Sequence, residues 1–230
     1  HIRRTADPGS SPAPATESPD ASRGFCMINM AHKAGYVNII GEPNVGKSTL
    51  LNALLGEQLV ITNPKAQTTR HRILGILNGE EHQLILSDTP GILEPQYRMQ
   101  AAMMRAVEEA LQDADLLIAL VEVGQRPERS ERLVERVRRY SGPLLVLVNK
   151  ADATTAEAVA EACTIWQEVF PTAKVVAISA LHGLNVNELR SYLIAQLPEH
   201  PPYFDKEDLS DRNMRFFVSE MIREKVLAFY

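Results

Sequence analysis

The sequence predicts an α/β domain: a mostly parallel six-stranded sheet with one antiparallel edge strand and helices on both faces. Three observations predict it. Apolar runs of strand length alternate with stretches of helical periodicity. Two of these runs, Leu116–Val123 and Leu144–Val148, are almost wholly apolar, as strands buried on both faces are. Asn78-Gly79 joins two others too closely for a helical crossover, so one strand must run against the rest.

The elements follow in order. Tyr36–Ile40 opens the sheet and ends at Gly41, and Gly46–Leu55 reads as a helix stopped by Gly56. Glu57–His71 is polar with little periodicity, hence a loop, and Ile73–Leu77 and Gln83–Ser87 are the hairpin strands. Met99–Leu111, Pro127–Tyr140, Ala156–Phe170 and Val186–Leu197 have helical spacing, with Lys174–Ile178 as a last strand. The main domain therefore covers 31–198. Pro198, Pro201 and Pro202 break the pattern and mark a linker over 199–209. Within 210–230, Ser210-Asp211 offers an N-cap, and Phe217, Met221, Ile222 and Val226 recur at helical spacing. That segment reads as the first helix of a truncated second module. Residues 1–29, rich in Pro, Ser, Ala and Asp, read as a disordered tail or an upstream extension without a signal-like apolar core.

Composition bounds the function. At 230 residues, 45% hydrophobic and 23% charged, the chain fits one globular domain plus an appendage. A net charge of −5 argues against a broadly basic nucleic-acid surface, though not against a local one. Cys26 and Cys163 alone make neither a disulfide framework nor a zinc site, so a reduced, cytoplasmic setting is expected. No stretch is long and apolar enough to span a bilayer. Apart from the last helix no long apolar face is evident, so a monomer is expected.

The chemistry lies in short motifs at the carboxyl ends of the predicted strands, where open α/β sheets bind ligands. Gly41-Glu42-Pro43-Asn44-Val45-Gly46-Lys47-Ser48, followed by Thr49, fits GxxxxGK[ST] between a strand and a helix. There successive backbone N–H groups wrap phosphates, Lys47 reaches the β- and γ-phosphates, and the Ser48 hydroxyl meets Mg²⁺. Asp88-Thr89-Pro90-Gly91 follows a strand, so Asp88 can hold the metal's shell and the Gly91 N–H can meet the γ-phosphate. Asn149-Lys150-Ala151-Asp152 decides the base. The Asp152 carboxylate can accept from both N1–H and the 2-amino group of guanine, whereas adenine would leave it unpaired. Lys150 can lie along the base and Asn149 can tie this segment to the phosphate loop. In Ser179-Ala180-Leu181, the Ala180 N–H can be given to guanine O6.

Asn63 to Arg72 occupies the place of a switch, with Gln67, Thr68, Thr69, Arg70 and His71 at its heart. One threonine, Thr69 in preference to Thr68, should complete the Mg²⁺ shell when a γ-phosphate is present. Ile92 stands where many such proteins place a water-orienting Gln, so unaided hydrolysis should be slow. Asn44 suggests that K⁺ beside the phosphates could stand in for an arginine finger. Cys163 and Trp166 read as packing residues, and Lys65, Arg70, His71, Arg72 and the run Arg126–Arg139 as largely solvated.

Taken together, GEPNVGKS, KAQTTRHR, DTPG, NKAD and SAL resemble the Era family of bacterial GTPases. Tyr203-Phe204, Ser210-Asp211-Arg212 and Ser219 to Lys225 resemble that family's linker and the opening of its KH domain, so the resemblance covers roughly 31–230. It implies a P-loop GTPase fold, hydrolysis of GTP to GDP, and a role in assembly of the small (30S) ribosomal subunit through 16S rRNA. It also implies peripheral contact with the inner face of the cell membrane. A KH module clamps RNA with a GxxG loop, and no glycine follows Gly183, so weak RNA binding is expected of this chain. Two alternatives stay open: a slow nucleotide-gated scaffold, and a related GTPase acting on tRNA or the large subunit.

Overall fold

The computed structural model describes residues 32–62 and 69–229. Gln67, Thr68, Lys65 and the tail 1–29 lie outside the described residues. Six strands form one sheet: β1 (Lys33–Ile40), β2 (Ile73–Asn78), β3 (His82–Asp88), β4 (Leu116–Glu122), β5 (Leu144–Asn149) and β6 (Lys174–Ala177). Their spatial order is β2-β3-β1-β4-β5-β6, with every pairing parallel except β2 with β3. The helices are α1 (Lys47–Leu55), α2 (Arg98–Gln112), α3 (Glu131–Arg139), α4 (Ala156–Val169), α5 (Val186–Gln196) and α6 (Met214–Phe229).

Side-chain alternation in the central strands builds two cores. Leu116, Ile118 and Leu120 of β4 and Leu145 and Leu147 of β5 meet α1 and α5 through Leu50, Leu54, Leu189 and Leu193. Leu117, Ala119 and Val121, with Val146 and Val148, meet α2, α3 and α4 through Met103, Val107, Leu133, Val137 and Trp166. Trp166 is fully buried and Cys163 packs against the same core.

Several boundaries differ from the sequence reading, each for a physical reason. β1 starts at Lys33, three residues early, because the strand pairs with β3 from Lys33–His82 onward. Gly35 interrupts the β-rich pattern there, and its missing side chain admits Asp115, Leu197 and Pro198. The hairpin turn is longer than an Asn-Gly pair: Gly79 N–H bonds His82 O at 2.9 Å, and Asn78 pairs in register with Gln83. A 3₁₀ turn, Pro127–Arg129, precedes α3, so the charged helix is shorter than Pro127–Tyr140. Three arginines of the run pair with neighbours, Arg126 with Glu161, Arg132 with Glu94 and Arg136 with Glu108, while the Arg126 and Arg132 side chains stay exposed.

The segment 199–209 is no free linker. It runs along the strand edge that β2 leaves unpaired, which a sheet must otherwise guard. Buried Gln83 accepts the Tyr203 and Phe204 N–H groups at 2.7 and 3.0 Å and donates to Phe204 O at 2.8 Å. Ile76 N–H bonds Leu209 O at 2.9 Å. Ser210 and Asp211 do not cap the last helix. Ser210 Oγ donates to Leu74 O at 2.5 Å, Asp211 Oδ1 accepts the Leu74 N–H at 3.2 Å, and Asn213 Oδ1 accepts from Phe216 N–H. On α6, Phe216 packs on the core while Met221, Ile222 and Val226 stand exposed. Among the described residues no helix is long and apolar enough to cross a membrane.

Candidate functional site

A cleft of about 780 Å³ opens at the carboxyl ends of the strands, within the range of small-ligand sites. Of the residues singled out from the sequence, Pro43, Asn44, Gly46, Lys47, Ser48, Thr49, Thr69, Gly91, Asn149, Lys150, Asp152, Ala180 and Leu181 line it. Motifs separated by more than a hundred residues thus share one cavity.

The loop from β1 to α1 owes its shape to two left-handed residues. Asn44 has φ 65°, a conformation Asn tolerates, and Gly46 has φ 100°. A side chain at Gly46 would also land 2.4 Å from Asn149 Nδ2. Gly91 is pressed against Pro43, where a Cβ would meet Pro43 N at 2.7 Å. Ile92 N–H bonds Gly41 O at 2.9 Å, so the segment after β3 and the phosphate loop form one wall. Val45 sits in the core, Pro90 is buried, and buried Thr89 gives its hydroxyl to Ile39 O at 2.6 Å. These residues shape the wall from behind.

Lys47 is buried, its Nζ bonded to Glu42 O at 2.8 Å and Gly41 O at 3.2 Å. Glu42 therefore contributes its carbonyl rather than a lining side chain. Burial pushes the Lys47 ammonium down to about 8, against the opposing pull of Asp88 and Glu42. Nearby, Asp88 Oδ2 accepts from Ser48 Oγ at 2.7 Å and Thr69 Oγ1 at 3.0 Å, and the two hydroxyls lie 3.1 Å apart. Burial raises the Asp88 carboxyl, although Lys47 and the two hydroxyls pull it down. Its other oxygen, Oδ1, is buried without a hydrogen-bond partner among the described residues. One carboxylate and two hydroxyls are hard oxygen donors of the kind Mg²⁺ takes, and the orphaned Oδ1 leaves acceptor capacity to spare. No cluster of three His, Cys, Asp or Glu able to hold a metal occurs among the described residues.

The base end is tied by Asn149. Its Nδ2 donates to Val45 O at 2.8 Å and its Oδ1 accepts the Ala180 N–H at 3.0 Å. The tie to the phosphate loop is in place. The Ala180 N–H, read from the sequence as the donor to guanine O6, is engaged by Asn149 instead. Ser179 is buried and its hydroxyl takes the His182 N–H at 3.2 Å. A hydrogen bond from Ser179, then His182 and Lys150, holds the Asp152 carboxyl below the usual carboxylate range. His182 Nε2 lies 3.5 Å from Asp152 Oδ2. Lys150, at φ 64°, pairs with Glu122 at the end of β4.

Glu122 escaped the sequence reading, although an acidic residue ending a buried strand was a usable signal. Ile61, Thr62, Leu93 and Ala153 also line the cleft, and nothing in their local sequence marks them. Arg70 and His71 are exposed, in keeping with a solvated loop; Arg72 is not, its side chain only 17% accessible. Ile92 is 3% exposed and belongs to the core beside α2, so the position of a water-orienting Gln is a packing position here.

The chain matches the family described as 50S ribosome-binding GTPase over residues 36–150. It is 35% identical over 201 residues to GTPase Era of Alkaliphilus metalliredigens, covering 87% of this chain and 68% of that protein. It is 41% identical to GTPase Era of Caldanaerobacter subterraneus, covering 87% and 67%. Among solved structures, an Era variant from Aquifex aeolicus bound to GDP and AlF4⁻ superposes with a TM-score of 0.82 at 36% identity, covering 86% of this chain and 68% of that one. Era in complex with MgGDPNP and nucleotides 1506–1542 of 16S ribosomal RNA superposes with a TM-score of 0.80 at 37% identity, covering 84% and 67%. An elongation factor SelB from Methanococcus maripaludis, 22% identical with a TM-score of 0.57, shares the fold alone. The chain spans about two thirds of the length of the curated relatives it matches. With its phosphate loop, its guanine-type motif and these likenesses along most of its length, the chain belongs to the Era family of GTPases.

Proposed function

We infer that this chain binds GTP with Mg²⁺ in the cleft and hydrolyses it to GDP and phosphate as a molecular switch. One observation carries the reading. Ser48, Thr69 and Asp88, from three separate segments, bring their oxygens within 2.7–3.1 Å of one another, next to buried Lys47. Those three residues would hold Mg²⁺, which neutralises charge developing on the phosphates. Lys47 would turn from the Gly41 and Glu42 carbonyls to the β- and γ-phosphates, and the Gly91 N–H would face the γ-phosphate. Asp152 would accept the two guanine donors, with Lys150 along the ring. The core position of Ile92 gives attacking water no side-chain partner there, so hydrolysis by the chain alone should be slow. K⁺ held through Asn44, exposed on the cleft wall, would supply the missing charge.

The same reading extends to assembly of the small ribosomal subunit, by analogy with the relative solved with a 16S rRNA fragment. The description 50S ribosome-binding GTPase points to the large subunit instead. We favour the small subunit, because the relative with the RNA fragment is 37% identical over 84% of this chain, whereas the family match covers only residues 36–150. The segment after 209 would begin the RNA-binding KH module. Cytoplasmic residence, from the two cysteines, a monomer, from the sequence's lack of a long apolar face, and peripheral membrane contact, from the resemblance, complete the proposal.

Single-turnover phosphate release from GTP, in K⁺ and in Na⁺, tests this reading. Release that a Lys47→Ala variant abolishes supports a hydrolase. Tight GTP binding without release would make the chain a nucleotide-gated scaffold, and equal rates in both salts would remove the K⁺ role.

A further inference from the structure

We propose that Arg72 is the positioning residue that holds Thr69 at the metal-binding oxygens, a step that rests on the nucleotide reading above. Arg72 precedes β2, and its guanidinium enters a polar socket under the sheet. Its Nε donates to Ser87 Oγ at 2.7 Å, and its terminal nitrogens donate to Asn38 Oδ1 at 3.2 Å and to both Asp113 oxygens at 2.5 and 3.0 Å. Asn38 and Ser87 are fully buried. Asn38 Nδ2 in turn donates to Asp113 Oδ1 at 2.7 Å and Ala110 O at 2.5 Å. The socket thus joins β1, β3 and the end of α2, elements that the core immobilises.

The backbone of the same residue is held from the other side. Arg212, just before α6, donates to Arg72 O at 3.0 Å. Between Thr69 and this anchor, Arg70 and His71 are exposed. Three residues of extended chain reach about 10 Å at most. The Thr69 backbone is therefore tethered within that reach of the anchored Arg72 backbone, and its Oγ1 bonds Asp88 at 3.0 Å. A bidentate fork fixes direction as well as distance, which a lysine cannot do. The socket residues are not among those lining the cleft, so Arg72 acts on the chemistry through the residues it positions, and a double-mutant cycle separates Thr69 from Asp88, which follows Ser87.

The test is a double-mutant cycle on single-turnover GTP hydrolysis by the full chain, with GDP affinity and thermal midpoint measured alongside. Arg72→Met should slow hydrolysis about tenfold to a hundredfold, since misplacing a reacting-centre ligand by about 1 Å has that effect. Affinity for GDP, which lacks the γ-phosphate Thr69 serves, should stay within about threefold on the same argument. Arg72→Lys should recover part of the rate. With Thr69→Ala already present, Arg72→Met should have almost no further effect on the rate. If Arg72→Met does not fold, Asp113→Asn, which keeps size and removes one carboxylate, serves in the same cycle. Equal slowing with and without Thr69, or unchanged hydrolysis in a folded Arg72→Met, overturns the proposal. A wild-type chain that binds GTP and never hydrolyses it overturns the nucleotide-hydrolase reading instead.

Discussion

At the base end of the cleft the polar groups close on one another, whereas at the phosphate end they stop short of doing so. Asn149 has both ends of its amide engaged, and Asp152 is held ionised by Ser179, His182 and Lys150. Across the cleft, Lys47 is an ammonium buried so deeply that its affinity for the proton drops, and Asp88 keeps one buried oxygen without a partner among the described residues. Such groups weaken a fold by themselves. On the proposed function, the difference separates a preorganised base reader from a phosphate site whose charges are balanced by what binds there. Binding energy from the first can then position the ligand against the second.

The largest effect should come from the unbalanced end. Lys47→Met removes the buried charge and keeps an apolar stem. Single-turnover hydrolysis should fall about a thousandfold or more, the loss typical of a preorganised charge on a reacting centre. The nucleotide-free protein should become more stable, with a thermal midpoint up by about 2–4 °C for each kcal/mol of strain relieved. A midpoint that drops while hydrolysis survives would break the contrast between the two ends. Next comes the base end. Asp152→Ala should weaken GDP binding about a hundredfold or more, as loss of a charged hydrogen-bonding partner does. The exposed position of Asp152 means that the nucleotide-free thermal midpoint should hardly move. Calorimetry showing GDP bound equally well by this variant would remove the base reader from the scheme.

Asn149 joins the two ends, and its loss should be felt in stability first. Asn149→Ala leaves the Val45 carbonyl and the buried Ala180 N–H without their side-chain partners. Each unsatisfied buried group costs about 1–3 kcal/mol, so denaturant unfolding should show a loss of that order or somewhat larger. Wild-type stability in this variant would mean that the tie is ornamental.

The base end was also the more legible in the sequence. NKAD after a buried strand singled out Asn149, Lys150 and Asp152, and all three line the cleft, because each proposed role depends on one residue type at one position. At the phosphate end the loop and Asp88 were equally plain, but the socket was not. Arg72 looks like a loop cation, and its partners Asn38, Ser87 and Asp113 lie on three other elements, so no local pattern joins them. The strap over 199–209 was hidden for the same reason. Its prolines read as a linker, and only the bonds of Ile76 to Leu209 and of Gln83 to Tyr203 and Phe204 show that it packs along the sheet edge. Ala180 is the converse case, where a local motif named a donor that a distant side chain, Asn149, had already engaged.

The smallest effect is a fraction of a proton, and it discriminates between the ends most cleanly. The Lys47 ammonium stands at about 8 in the folded chain against an ordinary 10.5. Between those values the unfolded chain holds the proton more tightly, so this group's contribution to nucleotide-free stability rises with pH through that window. Nucleotide binding runs the other way. Phosphates beside the ammonium raise its affinity for the proton, so GDP binding near and above pH 8 should take up a fraction of a proton and weaken as pH rises further. Calorimetric titrations in two buffers of different ionisation enthalpy read that uptake directly. The carboxyl of Asp152, held low, is ionised throughout and adds nothing. Uptake should therefore vanish in Lys47→Met and persist in Asp152→Ala under saturating GDP; the reverse pattern would place the unbalanced charge at the base end and invert the comparison.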